Sequence, residues 1–92
     1  MEVRIIPQFD PGKLLIAQSV ADQLPPDIVM QCFFLHLTGI WGDISKPDKL
    51  ANWSALKYGG RLVSAYSTTR GRILIITEAD RSLTAIFFER DC

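Results

Sequence analysis

The chain has 92 residues, ten basic and ten acidic side chains for a formal net charge of zero, and 48% hydrophobic residues. That length has room for one core and predicts a single domain over residues 1–92, and the apolar content excludes a disordered chain. No apolar run reaches the ~20 residues that span a bilayer, the opening Met1-Glu2-Val3-Arg4 lacks a secretory pattern, and zero net charge argues against both a general DNA binder and an acidic mimic of DNA.

In chain order, Val3-Arg4-Ile5-Ile6 has the composition of a strand start, but Pro7 and Asp10-Pro11-Gly12 interrupt it. The first secure strand is expected at residues 13–17. Ser19, with Asp22 three residues later, offers an N-cap for a short helix ending at Leu24, which Pro25-Pro26 closes. From there Ile28, Val29, Cys32, Phe33, Leu35 and Leu37 recur at helical spacing, predicting a core helix over residues 26–38 with Gly39 as its stop. After the loop Gly39-Ile40-Trp41-Gly42-Asp43-Ile44, Ser45 and Asp48 form a cap for a third helix, from about Pro47 to Tyr58. Leu50, Trp53 and Leu56, or their neighbours, are its expected buried positions. Asn52, in mid-helix, disfavours the helix unless its side chain finds a partner.

The last third reads as a meander. Strands are expected at 61–67, 72–77 and 82–88, joined by the turns Thr68-Thr69-Arg70-Gly71 and Glu78-Ala79-Asp80-Arg81. With the strand near residue 15 this predicts an α+β fold: a four-stranded, mainly antiparallel sheet with two or three helices packed on one face. Association through an exposed sheet edge would give a homodimer.

Charge is unevenly spread. Residues 49–77 hold Lys49, Lys57, Arg61, Arg70 and Arg72 and no acid, whereas most acids lie in residues 1–48. Arg61, Arg70 and Arg72 flank one hairpin with Tyr66 on its first strand, a combination of side chains suited to a protein partner. With few aromatics to stack on bases, direct nucleic-acid binding is not expected. Cys32 and Cys92 make neither a disulfide framework nor a zinc site and are read as the reduced thiols of a cytoplasmic protein.

No catalytic constellation is complete. Asp43, Asp48, Glu78 and Asp80 have the side chains of a cation site, but Asp48 serves as a cap and Arg81 is available to neutralise Asp43 or Glu78. Ser64 has only His36 as a candidate base, and no second histidine completes a metal site. Gly59-Gly60 follows a helix and precedes a strand, the reverse of a phosphate-binding loop. No cofactor is expected and the chain is read as non-enzymatic.

The series His36-x-x-Gly39-x-Trp41-Gly42-Asp43, then Asp48 and Asn52, then Arg61-Leu62-x-Ser64-Ala65-Tyr66, then Ile76-Thr77-Glu78-Ala79-Asp80-Arg81-Ser82-x-Thr84, resembles a family of small "plasmid-related" proteins carried on plasmids, integrative elements and phages. This chain departs from the family pattern at Ile40, where an acid is usual, and in its tail Phe87-Phe88-Glu89-Arg90-Asp91-Cys92, where the family ends leucine-proline-acidic-tyrosine. If the missing acid serves a metal or ligand site, this chain lacks it. The family name brings no activity. The context it implies is a mobile-element protein that binds and inhibits a host defence protein, in the manner of an anti-CRISPR. The alternative is an accessory protein binding a small ligand or nucleotide at the end bearing Trp41, Asp43, Glu78, Asp80 and Arg81.

Overall fold

The computed structural model of the chain describes residues 6–92, so the strand start expected at Val3-Arg4-Ile5 lies outside the described residues. The elements are β1 (Lys13–Ile16), α1 (Gln18–Gln23), α2 (Pro26–Leu37), α3 (Lys46–Tyr58), β2 (Leu62–Thr68), β3 (Gly71–Thr77) and β4 (Leu83–Phe88), with a final 3-10 turn at Glu89–Asp91. The strand order is β1-β4-β3-β2. β2, β3 and β4 form the expected antiparallel meander, and β1 joins parallel to β4, so the sheet is mixed.

Topology explains why the helices share one face. β1 and β2 lie at opposite edges of the sheet and run in the same direction. A connection between parallel strands must cross over rather than turn back. α1, α2 and α3 make that crossing. Strand alternation then assigns the buried partners: Tyr66, Ile73, Ile75, Ile86 and Phe88 pack with Val20, Leu24, Val29, Cys32, Phe33 and Leu37 in the main core. A smaller cluster of Trp41, Ala55 and Leu62 joins α3 to the start of β2.

Helix ends differ in how they are made. Ser45 caps α3 as expected, its hydroxyl accepting from the Asp48 N–H at 3.2 Å. Ser19 does not cap α1: Ala17 holds the cap position, and Ser19 lies inside the helix with its hydroxyl donating to Asp91 at 3.1 Å. Gly39, just beyond α2, has φ of 82°, a left-handed conformation that favours glycine and ends the helix as expected.

α3 turns inward the neighbours of two expected positions, with Leu56 itself partly buried against the smaller cluster as expected. Its buried residues are Asn52 and Ala55, and Leu50 and Trp53 face solvent. The reason is hydrogen bonding rather than hydrophobicity. The Asn52 side-chain oxygen accepts from the Val63 N–H at 3.0 Å and its amide donates to the Val63 carbonyl at 2.8 Å, so one side chain acts as the missing neighbour strand. Two residues along, the Ala65 N–H donates to the Trp41 carbonyl at 3.1 Å and the Asp43 N–H donates to the Ala65 carbonyl at 2.7 Å. Gly42 lies between these bonds, and any side chain there would collide with the Ala65 carbonyl and the Tyr66 ring. The outer edge of β2 is thus closed, and among the described residues the remaining free edge is β1, four residues long.

Replacing Asn52 leaves two strand groups without partners. Asn52→Leu is expected to lower unfolding stability by about 2 kcal/mol or more, read from urea denaturation, with faster amide exchange at Val63. An unchanged midpoint would show that water replaces the amide without loss.

Candidate interaction surface

The cationic hairpin is not one patch. Arg61 precedes β2 and pairs with Glu78 at 3.1 Å, while Arg72, near the start of β3, pairs with Glu89 at 3.0 Å. Arg70 lies in the turn between β2 and β3, so the length of β2, about 20 Å of extended chain, separates Arg61 from the other two. Tyr66 belongs to the helix-covered core, 8% exposed, with its hydroxyl donating to the Ile40 carbonyl at 2.6 Å. Burial pushes its phenol up to about 12.

Trp41, Asp43, Glu78, Asp80 and Arg81 are likewise dispersed. Asp43 accepts from the Ser67 hydroxyl at 3.1 Å near one end of β2, and the Glu78 carboxylate accepts from Arg61 at the other. Asp80 folds back onto Ser82, accepting from its N–H at 3.0 Å and its hydroxyl at 2.6 Å, and these bonds hold its carboxyl below the usual range. Arg81 meets neither Asp43 nor the Glu78 carboxylate. Its guanidinium donates to the carbonyls of Gly60 at 2.6 Å, Glu78 at 3.1 Å and Ala55 at 3.1 Å, closing the C-terminal end of α3 against the β3–β4 turn. Those bonds hold Arg81 itself at a left-handed φ of 61°. Trp41 is buried against Phe9, His36 and Trp53. Among the described residues no group of three His, Cys, Asp or Glu side chains is arranged to hold a metal ion. A cleft of about 560 Å³ lies elsewhere, between α2 and the β2–β3 turn, and no charged side chain lines it.

His36 and Ser64 do come together. His36 Nδ1 lies 2.5 Å from Ser64 Oγ and Nε2 lies 2.9 Å from Thr77 Oγ1, which is 2.7 Å from Thr84 Oγ1. Thr84 donates to the Pro11 carbonyl at 2.7 Å. A carbonyl only accepts, so this last bond fixes the hydrogens of Thr84, Thr77 and Nε2, and burial, by keeping the ring neutral, leaves Nδ1 bare. Thr77 donates to Thr84, His36 Nε2–H donates to Thr77, and Ser64 donates to the bare Nδ1. The imidazole is neutral in one tautomer, and its burial pulls its pKa down to about 4. His36, Ser64, Thr77 and Thr84 have no exposed surface. The pair is therefore sealed from any reactant.

The surface that sequence periodicity missed is the outer face of α3. Leu50, Trp53 and Tyr58 are 62%, 50% and 76% exposed. Lys46, Lys49 and Lys57 share the face of Leu50 and Trp53, since positions three, four and seven apart lie on one side of a helix, and Tyr58 flanks it. Lys57 rests over the Tyr58 ring at 5.3 Å, and none of the three lysines has an ion-pair partner among the described residues. The acid of α3, Asp48, lies in the first turn on the far side of the helix from Leu50. A sequence signal exists: spacing alone admits two inward faces, and Asn52 with Ala55 marks the one that approaches backbone. Comparison with protein-family models, with curated proteins and with solved structures found no match.

The histidine network generates a pH test. The folded pKa near 4 lies below the ordinary 6.5, so the unfolded chain binds the proton first. Stability is full above the unfolded pKa and falls as pH drops toward the folded one. Each pH step of one between those two values removes about 1.36 kcal/mol, so the loss between pH 7 and pH 5 is expected to be about 2 kcal/mol. Urea titrations read it in a chain with one histidine. The ring nitrogens should show the neutral Nε2–H tautomer by NMR throughout that range. A flat stability profile, or an imidazolium at pH 5.5, would contradict the assignment.

Proposed function

We propose that this chain is a non-enzymatic binding protein that docks the outer face of α3 against an acidic surface of a partner protein. What supports the reading is the combination of Leu50 and Trp53 with Lys46, Lys49 and Lys57 on one exposed face, flanked by the exposed Tyr58 at the C-terminal end of the helix. Apolar side chains supply desolvation, and the lysines, without ion-pair partners among the described residues, supply attraction and orientation. Capping, edge closure and turn formation occupy the polar residues around α3, so the helix is held rigid by contacts on its inner side. A rigid surface binds with little ordering loss. Catalysis finds less support, because the one serine–histidine pair is closed to solvent.

The specific partner we infer is a host defence protein such as a CRISPR effector subunit, inhibited by occupation of its surface. That step rests on the resemblance to mobile-element proteins. Small-ligand binding is the weaker reading, since Arg81 is engaged with carbonyls and the residues invoked for it are spread along β2.

Tagged protein expressed in a bacterium with active CRISPR and restriction systems should retain one stoichiometric defence subunit. Titration calorimetry of the purified pair should then show affinity falling about 100-fold on combining Lys46→Glu, Lys49→Glu and Lys57→Glu, and at least tenfold on Trp53→Ala. Full affinity in the charge-reversed variant would remove α3 as the docking face.

A further inference from the structure

Among the described residues, the two faces of the sheet are unequally covered. Strand alternation places Val63, Leu74, Ile76, Leu83, Ala85 and Phe87 on the face opposite the helices. All six retain part of their exposure and belong to neither core cluster. Cross-strand register arranges them in rows: Val63–Ile76–Ala85 continues to the 46% exposed Leu15, and Leu74 stands beside Phe87. β3 and β4 are consequently apolar on both sides. Antiparallel strands with one wet face alternate between apolar and polar residues, and continuous apolar runs belong to strands covered twice.

We propose that this helix-free face is a self-association surface on which two copies of the chain pack sheet against sheet. Charge selects a second copy over a charged partner. The face carries an Arg61–Glu78 ion pair with Lys13 at one end and an Arg72–Glu89 pair with Asp43, bonded to Ser67, at the other, so the two ends hold opposite excess charges that meet when a second copy turns end for end. The face as a whole demands neither an acidic nor a basic occupant, in contrast to the lysines of α3. The whole chain has zero formal charge, so two copies meet without net repulsion. A flat apolar face with a mixed rim is its own complement about a two-fold axis, and sheets stack at about 10 Å.

Area sets the strength. Four strands of six or so residues give a footprint of roughly 400 Å² per copy, and the rim side chains bring the pair close to the lower limit of ~1,200 Å² for specific complexes. The dimer is therefore concentration-dependent, with dissociation in the micromolar range. It leaves α3 free, because α3 packs through Ala55 with Leu62 of the covered face. Each dimer thus presents two lysine-rich helices outward. The chain segment from Gln8 to Phe9 runs on the covered side, where the Gln8 N–H donates to the Leu37 carbonyl at 2.8 Å and Phe9 stacks on Trp41.

Sedimentation equilibrium of the full chain from 5 to 500 µM tests the proposal. The expected result is a rise from the 10.3 kDa monomer toward twice that mass. Phe87→Lys and Leu74→Lys should each remain monomeric across the range with an unchanged far-UV circular dichroism spectrum. Isotope-filtered NMR on a mixture of labelled and unlabelled wild-type chains needs no variant to fold, and should show intermolecular contacts between Ile76 or Leu74 methyls and the Phe87 ring. A monomer at every concentration overturns the proposal and leaves the face to a different protein. A dimer whose intermolecular contacts fall on α3 or on β1 overturns it as well.

Discussion

One hydrogen-bonded run, Ser64–His36–Thr77–Thr84–Pro11, sets the register on which the rest of the structure depends. It takes one side chain from α2, one from each of the three meander strands, and a carbonyl from the segment before β1. Each of these polar groups lies in the core, where an unpaired one would cost about 1–3 kcal/mol. A slip of one residue in any strand pairing would turn Ser64, Thr77 or Thr84 to the other face and break the run. Hydrophobic burial alone does not discriminate registers in β3 and β4, because both faces of those strands are apolar. The polar run does.

Two further locks extend that constraint outward. Asn52 replaces a neighbour strand along the β2 edge, and Arg81 gathers carbonyls from α3, Gly60 and the β3–β4 turn. Together they place α3 at the rim of the sheet and choose which of its faces looks inward. The exposure of Leu50 and Trp53 is thus a consequence of backbone bonding. Hydrophobic side chains are displaced to the surface because a polar side chain and a small one fit closer to a strand edge.

How far the fold was legible follows from which force decides each element. The meander, α2 and the Ser45 cap rest on local signals, namely β-branched runs between turn residues, helical spacing and capping chemistry, and these could be read directly. The need of Asn52 for a partner was also legible, though not the partner's identity. What escaped was everything set by long-range polar contact. Ser19 resembles a cap, but the turn begins earlier, at Ala17. Arg81 looks like a partner for Asp43 or Glu78 in one dimension, yet carbonyls from three separate segments reach it first. The arginines of the hairpin are near in sequence number and lie at opposite ends of a strand, a separation that charge counting cannot register. The parallel placement of β1 depends on the crossover and has no local signature.

The division between locks and surfaces also bears on what the motif resemblance can carry. His36, Trp41, Gly42, Asn52, Ser64, Thr77, Arg81 and Thr84 all belong to the quoted motif, and each is occupied inside the fold. The exposed face of α3, made by Lys46, Lys49, Leu50, Trp53 and Lys57 and flanked by Tyr58, contains no motif position. Residues that close a core constrain the backbone, whereas residues that face solvent are free to differ without unfolding it. Two chains sharing this motif would thus share the sheet, the edge closure and the placement of α3 while presenting different side chains to a partner. The outer face of one helix is thus free to vary on a scaffold held constant by buried polar contacts.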